Sequence, residues 1–387
     1  MRGRQFILII ACTAGLFISC SGQSTSGPVA TAPSPVSVKP EIKAGWEAEW
    51  EKTLSGARKE GRVVVYGPPG SDTRLALTDE FKKAYPFITV EYVGAPGSAH
   101  IAKVKAERRA GLYLVDLVVS GTTTINSGFK EFAIPVEPLL ILPDVKEGNN
   151  WLDGKLHFAD KEGKFNLVFT THLIQPMIYN PTLLDPKRVP EMSYWDFTRP
   201  EFKGKIVMRD PWTTGPGNIA AMFFYSNPQL GPDFIRALGK NEPLISRDDR
   251  QVLEWVSMGK FTVGLGSSNT AVTELVVKGG MANVIPVTTL KEGAMTTASF
   301  GSLGILEAYP HPDAARVFVN WLLTREGQLA WSKATGTASR RLDVPSDHVG
   351  KDILPKAGVK YINSYSEEFQ DIREKMMPLI FEVFGRG

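Results

Sequence analysis

Cysteine is nearly absent from this chain of 387 residues: only Cys12 and Cys20 occur, both close to the start. Nothing after residue 20 can form an internal disulfide. That excludes a small fold stapled by bridges and leaves stability to a hydrophobic core, which 43% apolar residues can supply. Histidine is scarce too: His100, His157, His172, His311 and His348 are scattered, with no second histidine or cysteine at metal-ligand spacing. Structural or surface roles suit each of them, and no metal site is expected. Neither sign of charge dominates, with 44 Lys and Arg against 41 Asp and Glu. A nucleic-acid binder needs a concentrated cationic surface to displace counterions, so none is expected as partner. The catalytic signatures are thin as well. There is no G-x-S-x-G elbow, and Gly67 to Ser71 lacks the Lys-Ser or Lys-Thr of a P-loop. No cofactor is expected.

What is present begins at the N-terminus. Arg2 and Arg4 precede an apolar run from Phe6 to Ile18 of about 13 residues, short of the roughly 20 that a spanning helix needs. This reads as a secretory signal peptide over 1–19. Leu16-Phe17-Ile18-Ser19-Cys20 resembles a bacterial lipobox, with Phe17 where that pattern prefers Leu, and it makes Cys20 the expected lipidation site. Removing Arg2 and Arg4 from the 44 basic residues leaves 42 against 41 acidic ones. Residues 20–44 are mostly Ser, Thr, Pro and Gly and cannot bury enough apolar surface to offset their ordering entropy. They read as a tether between an anchored cysteine and a domain outside the cytoplasm.

From Trp46 the pattern becomes regular. Trp46 to Glu60 spaces its apolar residues as a helix, Arg62 to Tyr66 reads as a buried strand, and Gly67-Pro68-Pro69-Gly70 turns into a helix with Ser71 or Asp72 as N-cap. A strand over Ile88 to Val93, a helix over Ala99 to Ala110 and a strand over Leu114 to Val119 follow. A second set comprises a strand at Lys205 to Met208, the loop Asp210 to Gly217, a helix from Asn218 to Ser226 and strands at Phe261 to Leu265 and Asn283 to Val287. His311 to Lys333 reads as one long helix. Alternating strands and helices imply a parallel-rich α/β sheet whose ligands gather beyond the strands' carboxyl ends. The expected layout is 45–175 as a first lobe, 176–288 as a second, and 289–387 as a return to the first lobe with C-terminal helices.

Loops rich in Gly, Ser and Thr at strand ends suit reversible binding of a polar solute. Free N–H groups at a helix N-terminus carry partial positive charge and hold anions without a cationic side chain. Thr213-Thr214-Gly215 is the foremost such place in the second half, with Ser71 and Ser98 as counterparts in the first. One enzyme alternative exists: Ser257 and Lys260 fit S-x-x-K, the nucleophile motif of penicillin-binding enzymes, but the companion elements are missing and a secreted serine hydrolase is the weaker reading.

Several runs taken together resemble a known family. They are Glu60-Gly61 through VVVYG, VEYVGAPGS, Ala106-Glu107-Arg108 with Tyr113 and Asp116, Ile178-Tyr179-Asn180-Pro181, Phe202-Lys203-Gly204-Lys205-Ile206, and His311-Pro312-Asp313 with Asn320-Trp321-Leu322. The chain resembles solute-binding proteins of ABC importers of the ferric-iron and polyamine group. The resemblance implies a type II periplasmic-binding-protein fold: two α/β lobes joined by crossing hinge strands, with the ligand cleft between them and an ABC permease as partner. It implies a monomer with no enzymatic activity. Ferric-binding members place adjacent tyrosines in the loop after the strand that here is Phe261 to Leu265. This sequence has Gly266-Ser267-Ser268-Asn269-Thr270 there, so a small polar, anionic solute is expected ahead of iron or a metal chelate. The contacts implied are Gly70, Ser71, Ser98 and Ser120 from the first lobe and Thr213, Thr214, Ser268 and Asn269 from the second; Trp212, beside Pro211, suits either stacking on a ring or packing under its loop.

Overall fold

The computed structural model describes residues 45–213, 215–356 and 359–385. The expected leader 1–19, Cys20, the tether 20–44 and Thr214 lie outside the described residues. Among the described residues no helix is long and apolar enough to cross a membrane.

The first lobe is built on a sheet in the order Thr89–Gly94, Arg62–Gly67, Leu117–Ser120, Ser302–Leu306, Leu167–Val168, His157–Phe158, with Ala133–Ile134 also pairing with Ser302–Leu306. Its first three strands are parallel and Ser302–Leu306 runs against them. Arg62–Gly67 shows why the sequence reads as unbroken apolar: Val63 and Val65 enter one core and Val64 and Tyr66 enter another, on the opposite face. On the first of those faces Phe81, from the helix Ser71–Ala84, sits 5.1 Å from the rings of both Phe318 and Trp321.

Two runs that carry the family resemblance prove to be structural joints. The buried carboxylate of Asp116 accepts from the amides of Val64 and His311 and contacts the His311 ring at 2.9 Å, tying a strand to the start of a helix. Burial pushes its pKa up against those hydrogen bonds, which pull it down. Asn320 is fully buried, and its amide accepts from Ile141 and Leu142 N–H and donates to the Leu139 carbonyl. Each polar group is buried because a partner is built for it.

The long helix expected over His311 to Lys333 is two helices, Pro312–Leu323 and Arg325–Thr335. Thr324 adopts an extended ψ of 168° and its Oγ1 accepts from the Gly327 N–H, capping the second helix. The apolar stripe continues across the break, which is why periodicity alone hides it.

The second lobe has a five-stranded sheet in the order Leu244–Ser246, Ile206–Arg209, Val263–Leu265, Met177–Tyr179, Ile285–Val287. Phe223, Phe224 and Phe234 fill its core with Tyr194. The C-terminal helix Ile372–Phe384 seals this core with Met376, Leu379 and Ile380.

Two strands join the lobes. Thr170–Leu173 follows Leu167–Val168 of the first sheet and leads to Met177–Tyr179 of the second; Met295–Thr297 makes the return from Ile285–Val287 to Ser302–Leu306. They pair antiparallel, His172 opposite Thr297, with Ala338–Ser339 and Ile362–Asn363 on the outer edges. This is the two-lobed α/β architecture with crossing hinge strands.

Candidate functional site

A cavity of about 180 Å³ opens beside the hinge, walled by both lobes. From the first lobe come Gly70 to Thr73, at the start of the helix Ser71–Ala84. From the second come Asn269, Thr273, Glu274 and Lys278, on the short helix Asn269–Val272 and the π-helical turn Thr273–Lys278 that continues it. The floor is His172 of the hinge strand, and Trp331, Thr335 and Thr337 complete the walls.

The Ser71–Ala84 helix opens without a side-chain cap. Gly70, not Ser71 or Asp72, is the N-cap, with φ 128° and ψ 144° and no capping hydrogen bond. Only glycine holds that backbone without strain. The Ser71 hydroxyl donates sideways to the Asp72 carboxylate at 3.2 Å. The N–H groups of the first turn consequently have no side-chain acceptor among the described residues, and Gly70 to Thr73 line the cavity.

His172 is fully buried. One ring nitrogen meets the Ser299 hydroxyl at 3.2 Å, and Nδ1 has no hydrogen-bond partner among the described residues. Burial pushes its pKa down to about 4, so the ring is neutral at pH 7. Trp331, 1% exposed and stacked edge-on against Phe169, likewise has an unpartnered indole N–H. On the same wall the Thr335 and Thr337 hydroxyls lie 2.7 Å apart.

Of the residues expected to contact solute, Gly70, Ser71 and Asn269 come together on this cavity. Asn269 does so as a bracket, since its amide donates to the Leu173 carbonyl and accepts from the Gln175 N–H, fastening the second lobe to the hinge strand. Ser268 stands beside it, its N–H on Asp249 and its hydroxyl accepting from the Ala271 N–H. Ser98 is exposed in the first turn of Gly97–Arg109, Ser120 is buried with its carbonyl accepting from Ser302, and neither lines the cavity. Thr213 does not line it either. Its hydroxyl and N–H, with the N–H of Trp212, all go to the Asp210 carboxylate. Burial alone would raise the Asp210 pKa, but those hydrogen bonds and Arg247 hold it below the ordinary range. Trp212 packs against the second lobe's core and donates its indole N–H to the Gly385 carbonyl.

Sequence reasoning missed His172, Trp331, Asp72, Glu274 and Lys278. Their signal was available only for Asp72, a first-turn carboxylate after a glycine loop. The other four reach the cavity through folding of distant segments. The hydrolase motif does not assemble: the Ser257 hydroxyl donates to the Ala282 carbonyl at 2.6 Å, while the Lys260 ammonium lies 4.2 Å from the centre of the Trp255 ring.

The sequence pattern of the bacterial extracellular solute-binding proteins matches residues 76–355. The chain belongs to that family. It is an extracytoplasmic solute-binding protein and not an enzyme. The protein is 28% identical over 150 residues to an uncharacterized protein of Haemophilus influenzae, spanning 38% of this chain and 41% of that relative's length. Solved structures of similar fold include the periplasmic binding protein AfuA of Actinobacillus pleuropneumoniae with fructose-6-phosphate bound (19% identity, TM-score 0.63, covering 85% of this chain and 100% of that one). Another is IdiA, also called FutA, of Trichodesmium in complex with iron and citrate (17% identity, TM-score 0.64, 84% and 100% covered). A third is the spermidine/putrescine-binding PotD of Streptococcus pneumoniae (17% identity, TM-score 0.61, 84% and 99% covered). At these identities the likeness is one of fold, and the solute-binding protein shares with all three the two-lobed frame described above.

Proposed function

We propose that this solute-binding protein captures a small polar solute carrying an anionic group in the cavity beside the hinge and hands it to an ABC permease. The observation that carries the reading is that one cavity takes its walls from both lobes and its floor from the hinge strand. A solute touching all three favours the closed arrangement of the lobes, and a permease can distinguish that arrangement from the empty one. Lys278 and the surrounding hydroxyls supply the donors an anionic group needs. The protein acts as a monomer held at the membrane through lipid on Cys20.

A thermal-shift screen of carboxylates, phosphorylated sugars and amines, read together with Trp331 fluorescence, tests the capture reading. A metal-free hit whose change in indole fluorescence is lost in Trp331→Phe supports it, since Trp331 lines the cavity and is one of eight tryptophans. Stabilisation only in the presence of Fe(III) sinks it in favour of a metal-chelate binder. Anchoring is tested separately, by whether Cys20→Ser releases the protein from the membrane fraction.

A further inference from the structure

We infer that the solute is a zwitterion, a small molecule with an ammonium-type cation at one end and a carboxylate or phosphoryl oxyanion at the other. The inference rests on the capture reading and names the class of solute that the cavity takes. Three charged side chains line it: Asp72 from the first lobe, and Glu274 and Lys278 from the second. Carboxylates nearby in the second lobe are matched, Asp210 by Arg247 and Asp249 by Arg209. Asp72, Glu274 and Lys278 have no ion-pair partner among the described residues, and Asp72 accepts only from its neighbour Ser71. Glu274 and Lys278 stand four residues apart on one π-helical turn, yet no ion pair joins them. Three unanswered charges facing one cavity set what can enter it.

Asp72 decides the polarity of the first-lobe wall. A carboxylate in the first turn of a helix already complements the partial positive charge of the N-terminal amides. An anion brought there meets like charge, whereas a cation meets Asp72 directly. With His172 neutral, a dianion would have one cation to answer it and two carboxylates to oppose it. A diamine would press its second ammonium against Lys278. One charge of each sign satisfies all three side chains and leaves none facing its like as the lobes close and water is expelled. The buried ring nitrogen of His172 and the indole N–H of Trp331, both unpartnered in residues that line the cavity, are the neutral polar groups left for the solute's remaining atoms.

Calorimetric titration of the purified protein with three matched series reads the charge preference. The probes are ω-amino acids, α,ω-diacids and α,ω-diamines of two to six carbons, with phosphoethanolamine as the phosphoryl counterpart. The expected result is that a zwitterionic probe binds at least tenfold more tightly than the diacid and the diamine of its length. The double variant Asp72→Asn, Glu274→Gln should lose at least tenfold in affinity for that probe and turn its preference to the diacid. Lys278→Gln should turn it to the diamine. All three side chains are exposed, so the variants should melt with the parent protein. A diacid or diamine that binds as tightly as the amino acid overturns the inference while leaving capture in place. Silence from every zwitterion also overturns it, and the thermal-shift screen then judges the capture reading on its own.

Discussion

Two glycine-containing loops lead from strand ends into helices, one in each lobe, and in sequence they look equivalent. Gly67 to Ser71 leads into Ser71–Ala84, and Asp210 to Gly217 leads into Pro216–Ser226. In the fold they are opposites. The first has its carbonyls engaged, Gly67 by His100, Pro68 by Tyr92 and Gly70 by Thr73, but its N-cap is a glycine that caps no amide, its one hydroxyl goes to Asp72 along the chain, and it lines the cavity. The second is closed on itself by Asp210, which takes two amides and the Thr213 hydroxyl, and by Asn218, whose amide donates to the Pro211 carbonyl at 2.7 Å. Arg373 of the C-terminal helix reaches the Trp212 carbonyl and covers it further. The lesson is that a polar loop binds others only with the groups it has not already spent on itself. Hydroxyl content does not report that: Ser71 and Thr213 each donate to a nearby carboxylate, yet only the loop of Ser71 lines the cavity.

The largest effect should come from the packing beneath the closed loop. Gly266 has φ 78°, and a Cβ added there would stand 2.8 Å from the Gly217 Cα, at the helix start that this loop feeds. Gly266→Ala combines a left-handed backbone with a backbone clash, so a loss of about 3 kcal/mol or more is expected in urea unfolding. A loss below about 1 kcal/mol would show that the loop yields, and the contrast between a closed and an open loop would weaken.

Next in size is a pH effect on the open side, at the cavity floor. The folded-state pKa of His172, about 4, lies below its unfolded value near 6.5. The unfolded chain therefore takes up a proton first as pH falls, and the native state loses stability progressively from about pH 6.5 down to 4. The full loss is on the order of 3 kcal/mol, at up to about 1.4 kcal/mol per pH unit. His172→Gln should flatten that part of the stability profile. His157, also pushed down to about 4, contributes in the same direction and remains as the residual slope.

Asp210→Asn sharpens the comparison from the closed side. The amide retains one acceptor oxygen but loses the charge that meets Arg247 and the second oxygen that takes the Thr213 hydroxyl. A stability loss of about 2 kcal/mol is expected in chemical denaturation. The same variant should lose the acid sensitivity that Asp210 confers. Its folded pKa is depressed, so its stabilisation is present above the unfolded value and disappears as pH falls through the folded one.

How much of this was legible follows the range of the interactions. The lobes were, because Val63 to Tyr66 are buried on both faces and betray a central parallel strand within four letters. Gly70 and Ser71 were legible as a helix opening, since turn chemistry is local. The break at Thr324 was not, because the apolar stripe of one helix runs on in phase into the next. Of the cavity's charges only Asp72 carried a local signal, as a first-turn carboxylate; Glu274 and Lys278 carried none. Lys278 and Asp72 are separated by some two hundred residues and line one cavity only because the fold brings the two lobes together. Thr213 misled for a related reason: the Asp210 that occupies it is close in sequence, but whether the loop curls onto its own carboxylate depends on packing around Gly217 and Gly266.

The smallest effects make the cleanest discrimination. Thr213→Ala removes one hydroxyl hydrogen bond to Asp210 and should cost about 1 kcal/mol of stability while leaving solute affinity within a factor of two. Ser71→Ala removes a hydroxyl from an exposed pair with Asp72, so its stability cost should be within about 0.5 kcal/mol, yet its place on the cavity rim should weaken solute binding several-fold. The two substitutions delete the same kind of group from the same kind of loop, so their stability and affinity costs should fall in opposite order. If Thr213→Ala proved the more damaging to affinity, the solute would have to reach the Asp210 loop when the lobes close. The distinction between a spent loop and an open one would then hold only for the arrangement seen here.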